Sequence, residues 1–123
     1  MSVIKGMFDG SQGTRYESGA TIFSRGEPGN VMYVILDGKV ELRISEGLTE
    51  VLGPGEPFGE MALIDNAPRV ATAVARTACK LVAITEQHFL TLIQDTPYFG
   101  LEMMKVMAHR LRRMNAGAAA PAR

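Results

Sequence analysis

A single cysteine, Cys79, is all the thiol this chain has, and that scarcity closes several routes at once. It rules out an internal disulfide and any four-cysteine metal or iron–sulfur site. Cys79 lies in the apolar run Ala78-Cys79-Lys80-Leu81-Val82-Ala83-Ile84, where a small buried core residue is the simplest reading. Histidine is nearly as scarce. His88 and His109 fall on different predicted helices without a companion at ligand spacing, so no metal is expected. An excess of one charge is also missing: 13 Lys+Arg balance 13 Asp+Glu, which argues against a general polyanion binder. No apolar stretch approaches the roughly 20 residues that span a bilayer. The start, Met1-Ser2-Val3-Ile4-Lys5-Gly6, lacks the long apolar segment of a secretory signal. These absences lead to the expectation of a soluble, cytoplasmic chain. No nucleophile–base pair, metal set or Ser-His-Asp grouping stands out, so an enzyme is not expected either.

What is present suits one domain: 123 residues, 46% of them hydrophobic, match a single core of roughly 100–150 residues. Over residues 14–84, short apolar runs are broken by glycine and proline, the texture of a β-sandwich or roll. Val31-Met32-Tyr33-Val34-Ile35-Leu36 and Lys39-Val40-Glu41-Leu42-Arg43-Ile44 flank Asp37-Gly38, which predicts a two-residue hairpin. In the second run Val40, Leu42 and Ile44 alternate with polar neighbours, the pattern of a half-buried strand. Loops are expected at residues 26–30 and 53–57, and a further strand region over 70–84, bent near Arg76-Thr77. After Ile84 the texture turns helical. Thr85 is placed to cap one helix, and Pro97 suits the first position of another that runs to about Met114. On that last helix Leu101, Met104, Ala108 and Leu111 form one stripe, fit for the core or for a dimer seam. Met103, Met104, Met107 and Met114 read as core filler or as a soft contact surface. Residues 115–121 have little to pack with and are expected to fray.

The chemistry concentrates in residues 58–72, Phe-Gly-Glu-Met-Ala-Leu-Ile-Asp-Asn-Ala-Pro-Arg-Val-Ala-Thr. A glycine turn runs into a short apolar piece whose first amide N–H groups have no intrahelical partner and suit a small anion. Arg69, just past a proline, carries a guanidinium fork that matches two phosphate oxygens. Glu60 would repel phosphate yet accepts hydrogen bonds well from ribose hydroxyls. One acid for a sugar and one arginine for a phosphate together describe a nucleotide.

Phe58-Gly59-Glu60-Met61-Ala62-Leu63 followed by Pro68-Arg69-Val70-Ala71-Thr72 resembles the phosphate-binding cassette of cyclic-nucleotide-binding domains. Such domains occur in catabolite activator proteins, protein kinase A regulatory subunits and cyclic-nucleotide-gated channels. Tyr16, Gly19, Ile22, Phe23, Gly26, Gly29, Tyr33, Ile35, Gly38 and Val40 fall where that family's frame has such residues, so the likeness covers residues 14–113. The resemblance implies a mostly β fold, an antiparallel jelly-roll-like β-roll (double-stranded β-helix) with C-terminal helices. Residues 1–115 would form the domain and 116–123 a disordered tail. It implies that Glu60 accepts the ribose 2′-hydroxyl beside the Gly59 backbone. The N–H groups of Met61 and Ala62 would meet the cyclic phosphate, Arg69 would pair with its charge, and the Val70 backbone would complete the cradle. Leu42 becomes a candidate apolar wall for the base, with plain core packing its other reading. Arg110 becomes the candidate lid over the purine. A solvated helix end, favoured by the helix dipole, is the simpler reading of Arg110, Arg112 and Arg113.

Family members selective for cGMP often carry threonine directly after the cassette arginine; here Val70 offers no hydrogen bond, which favours cAMP and leaves cGMP a weaker ligand. Thr72 sits two residues too late to substitute. The expectation is thus a stand-alone regulatory module that binds cAMP, repositions its last helix and is read by a protein effector, with a homodimer through that helix possible. A DNA-binding regulator needs a helix-turn-helix domain of roughly 60 residues, and only a short Ala-rich stretch follows Met114. A ligand-sensing piece of a larger regulator or channel, and a degenerate roll used for protein contacts, are the alternatives.

Overall fold

The computed structural model describes residues 6–8, 12–45 and 47–119, with side chains as far as Arg113. Its strands are β1 (Thr14–Tyr16), β2 (Thr21–Phe23), β3 (Val31–Asp37), β4 (Val40–Ser45), β5 (Leu48–Leu52), β6 (Pro57–Phe58), β7 (Thr72–Ala75) and β8 (Cys79–Thr85). The helices are α1 (Met61–Ile64), α2 (Glu86–Asp95) and α3 (Pro97–Ala119). The strands form two four-stranded antiparallel sheets, ordered β1-β8-β3-β6 and β2-β7-β4-β5. The expected β-roll with C-terminal helices is what the chain forms.

The hairpin expected at Asp37-Gly38 is not there. β3 pairs with β8 and β6, whereas β4 pairs with β5 and β7, so the two flanking runs lie in different sheets. Gly38 takes the positive φ that the sequence signalled (84°), and Asp37 Oδ1 accepts its N–H at 3.0 Å. The turn bends a long strand across the corner of the roll instead of reversing it. The region of residues 70–84 does the same: β7 lies in one sheet and β8 in the other, with the switch at residues 76–78. The two corners are stitched together. Lys39 N–H donates to Thr77 Oγ1 (3.0 Å), and the Lys39 carbonyl accepts from Arg76 N–H (2.9 Å). A bent antiparallel ribbon, β3–β4 against β7–β8, thus serves both sheets. The hairpin that does form joins β4 to β5, with Ser45 opposite Leu48 and Gly47 at φ 78°.

Alternation along β3 feeds two cores. Met32, Val34 and Leu36 point with Val82 and Ile84 toward the helices, where Phe99 and Met103 of α3 close over them. Ile35 faces the other way, into the space between the sheets, with Val40, Leu52, Phe58, Ala73, Leu81 and Cys79. Cys79 is buried, as its apolar run implied, and burial pushes its thiol above the usual range. β4 is half-buried with Val40 fully inside, as its alternation required.

Thr85 caps α2 by accepting the His88 N–H at 3.1 Å, and Pro97 opens α3. The helix passes the expected end at Met114 and continues to Ala119. Ala116, Ala118 and Ala119 are strong helix formers, so this stretch needs little packing to hold its backbone. The expected disordered tail therefore has helical backbone at 116–119, and 120–123 lie outside the described residues. Met103 is buried, but Met104 is 62% exposed, so core filling does not account for all the methionines; the Met114 side chain lies outside the described set.

The corner gives a direct test. A Cβ at Gly38 would sit 2.3 Å from the Ala78 carbonyl oxygen, and φ is left-handed as well. Gly38→Ala is expected to lower stability by at least about 2 kcal/mol in urea unfolding; an unchanged midpoint would mean the corner is not rigid.

Candidate functional site

β6 pairs with β3 (Tyr33↔Phe58, Val34↔Pro57), which anchors the start of the cassette in the first sheet. Gly59, at φ 77°, then turns the chain outward into the single turn of α1. That turn is closed by Leu63 and Ile64 N–H donating to the Glu60 carbonyl at 3.0 and 3.1 Å. Ala62 N–H donates to the Gly59 carbonyl at 3.3 Å, a long bond at the mouth of the turn. Ala62 is buried, whereas Met61 and Val70 expose their side chains.

Arg69 departs most from an ordinary arginine. Its residue is 7% exposed, the one buried charged residue among those described. Nη1 donates to the Gly59 carbonyl (3.1 Å) and Nη2 to the Val31 carbonyl (2.8 Å). The guanidinium carbon lies 4.1 Å from the centroid of the Phe23 ring, inside an aromatic group in which Tyr33 stacks on Phe23 and Phe58 and these two tilt together, with centroids 5.3–6.1 Å apart. Its backbone is fixed too, Arg69 N–H donating to Glu27 O and Arg69 O accepting from Gly26 N–H, both at 2.8 Å. Nε is buried with no partner. Among the described residues the ion pairs do not include Arg69. Burial pulls its pKa below the usual arginine value, with Tyr33 and Glu27 opposing, and a guanidinium stays charged through such a shift. The site therefore holds a desolvated cation with one orphan donor, a condition that an anion relieves.

Glu60, the expected ribose acceptor, meets Arg110, the expected lid. Arg110 Nη1 lies 3.4 Å from Glu60 Oε1, and Nη2 donates to the Pro57 carbonyl. Both side chains are 15% exposed, which overturns the simpler reading of Arg110 as part of a solvated helix end. With the helix running on to Ala119, Arg110 lies outside the last turn where the dipole favours a cation, and a carboxylate on the cassette holds it instead. Arg113 pairs with Glu50 of β5, while Arg112 is exposed. Leu42 is half-buried against the inter-sheet core, with Ala73 and Glu50 as its cross-strand partners. Thr72 Oγ1 accepts the Arg25 N–H at 3.0 Å.

The structure thus joins Gly59 with Arg69, and Glu60 with Arg110. Met61 and Ala62 follow Glu60 directly, and Val70 follows Arg69. It also supplies partners that sequence reasoning missed: the Phe23 ring, the Val31 carbonyl and the bare α-carbon of Gly29. All three lie far from the cassette in sequence; Phe23 and Gly29 were hinted at only by their place in the frame, and Val31 by nothing. Among the described residues no group of three metal-ligating side chains gathers, and no helix is long and apolar enough to cross a membrane.

A family profile described as cyclic nucleotide-binding domain matches residues 14–96. The CRP-like cAMP-activated global transcriptional regulator of Mycobacterium tuberculosis is 34% identical over 105 residues, covering 81% of this chain and 47% of that protein. The chain thus spans about half the length of that relative. The crystal structure of the Thermus thermophilus catabolite activator protein superposes with a TM-score of 0.76 at 34% identity, over 91% of this chain and 56% of that one. A cGMP-bound form of the EAL enzyme Bd1971 gives a TM-score of 0.61 at 33% identity, over 87% and 30% of the two chains.

Gly29 isolates the arginine's pose. A Cβ there would lie 2.4 Å from Arg69 Nε and 2.5 Å from Cζ, yet the Gly29 φ is outside the left-handed region. Gly29→Ala is therefore expected to cost about 1–2 kcal/mol of stability by displacing the guanidinium, and nothing further in an Arg69→Ala background. Additive losses in thermal unfolding would disconnect the two residues.

Proposed function

The chain belongs to the cyclic nucleotide-binding domain family, and from that premise we propose that it is a regulatory module whose ligand is cAMP. The buried, unpaired charge of Arg69 is the observation that carries this reading. A cyclic phosphate brings one negative charge and acceptor oxygens, and meets Nε in surroundings of low dielectric, where a charge-assisted bond is strong. The Met61 amide borders the same turn and supplies a further donor, and the Ala62 amide adds another by exchanging its long bond to the Gly59 carbonyl. Glu60 takes the ribose 2′-hydroxyl, sharing or exchanging its carboxylate with Arg110. Leu42 forms the apolar wall for the base, and Arg110 brings α3 to it.

Val70 offers the base no hydrogen bond, and Thr72, two residues later, spends one of its two lone pairs on the Arg25 N–H, so a guanine amino group finds little reward at these positions. That supports cAMP over cGMP, with cGMP the weaker ligand. Signalling follows from the Glu60–Arg110 contact. A ligand on Glu60 changes the energy of one position of α3 relative to others, which is what a shift in helix position requires. A protein effector reads that shift.

The exposed stripe on α3 suggests a second copy as one partner. Leu101 (43%), Met104 (62%) and Leu111 (58%) stand in solvent with Ala108 at a, d spacing, while Phe99 and Met103 face the core. The expectation that this stripe fills the core does not hold, which leaves the dimer seam. Sedimentation equilibrium is expected to give a dimer that Met104→Asp dissociates; a wild-type monomer at high concentration would remove this part of the reading.

Calorimetric titration with cAMP, cGMP and 5′-AMP tests the ligand. cAMP is expected to bind with a Kd of about 1 µM or tighter, with 5′-AMP much weaker. Arg69→Ala should weaken cAMP by at least about tenfold, and Val70→Thr should raise the affinity for cGMP relative to cAMP. Undiminished affinity in Arg69→Ala would refute the cradle.

A further inference from the structure

Two arginines of α3 hold two carboxylates on opposite banks of the cradle. Arg110 reaches Glu60 and the Pro57 carbonyl on the cassette side, and Arg113 reaches Glu50 on β5. They stand three residues apart, about 4.5 Å along the helix and on neighbouring parts of its surface. Glu50 lies directly opposite Leu42 in the β4–β5 ladder, so their side chains share a face. Alternation makes it the face that carries Val40 and Leu52 inward. The distal part of α3 therefore spans the gap between the cassette and the wall where a base would lie.

What fixes α3 differs along its length. Near its start Phe99 and Met103 are 0% and 3% exposed and lock it to the first core. Val106 still packs half-buried against that core, and beyond it no described side chain of the helix joins it, so from there ion pairs take over from core packing as the tether. The two pairs are unequal. Arg110 and Glu60 are sheltered, whereas the Arg113 side chain is 53% exposed and that of Glu50 20%. A pair that water and salt reach contributes little and breaks often. It is also the outermost of the two, so lifting the helix breaks it first.

We propose that the Arg113–Glu50 pair is the latch of a gate, with the distal part of α3 as the leaf and the Phe99–Met103 anchor as the hinge side. This rests on the reading of the cradle as a cyclic-nucleotide site and adds its kinetics: a nucleotide enters and leaves only when the latch opens. Passage in both directions crosses the same barrier. Loosening the latch therefore speeds both and leaves the affinity nearly fixed.

Stopped-flow measurement of a fluorescent cAMP analogue tests this in wild type, Arg113→Ala and Glu50→Gln. Both variants are expected to raise association and release rates together, by roughly two- to fivefold, with Kd changed by less than about threefold. Added salt should speed release in wild type more than in Glu50→Gln. The charge-swapped pair, Glu50→Arg with Arg113→Glu, should restore slow exchange, which excludes general damage to the fold. Unchanged rates would overturn the latch. So would faster release with affinity falling in step, since that marks Arg113 as a ligand contact. If wild type takes up no cyclic nucleotide, it is the cradle reading that fails. Amide hydrogen exchange then still judges the latch: Glu50→Gln must quicken exchange over residues 107–113 but not 97–106, and equal exchange would overturn it.

Discussion

A guanidinium taken out of water with no carboxylate bonded to it constrains everything built around it. Dehydrating a cation costs several kcal/mol after relaxation, and here the return comes from two carbonyl dipoles and the face of Phe23. Those partners come from β2, from the start of β3 and from the turn after β6, so Arg69 is set only when all three are in place. The fold and the bed of Arg69 are therefore one construction. The orphan Nε is the share of the cost that the protein leaves unmet.

The roll makes this possible by carrying one bent ribbon through both sheets. The corners at Gly38 and at residues 76–78 bond to each other, which fixes how β3 and β4 are angled and so where Val31 and Leu42 stand. α3 joins the two ends of the argument. It is rooted in the core that β3 and β8 share, and it reaches the cassette through Arg110. A contact network of that kind, with a firmly packed root and a weakly tethered tip, is what the proposed movement of the helix on binding at Glu60 requires.

Much of this was legible in the sequence because the cassette is contiguous. Gly59, Glu60 and Arg69 sit in one short stretch, and glycine turn, acid and arginine each carry their own chemistry. The bed of Arg69 was not legible, because Phe23, Gly29 and Val31 come from segments that only the sheets bring together. Asp37-Gly38 misled for a definite reason. The pair announces a positive φ, and the glycine has one, but φ at one residue does not say whether the chain reverses or turns a corner. That was decided by β8 and β7, which claim β3 and β4 separately. Arg110 looked like a solvated helix end for a similar reason: its partner Glu60 lies 50 residues away in sequence.

The claim on which the rest hangs is that Arg69, already buried and bonded, offers Nε to the phosphate. The most direct measurement is the ¹⁵N–¹H resonance of the Arg69 side-chain Nε, assigned through its loss in Arg69→Lys and followed while cAMP is added. The account predicts a resonance protected from solvent exchange at the outset, which shifts downfield and saturates with the same Kd that calorimetry gives. A resonance that exchanges freely with water, or that stays fixed while cAMP saturates the protein, would contradict it.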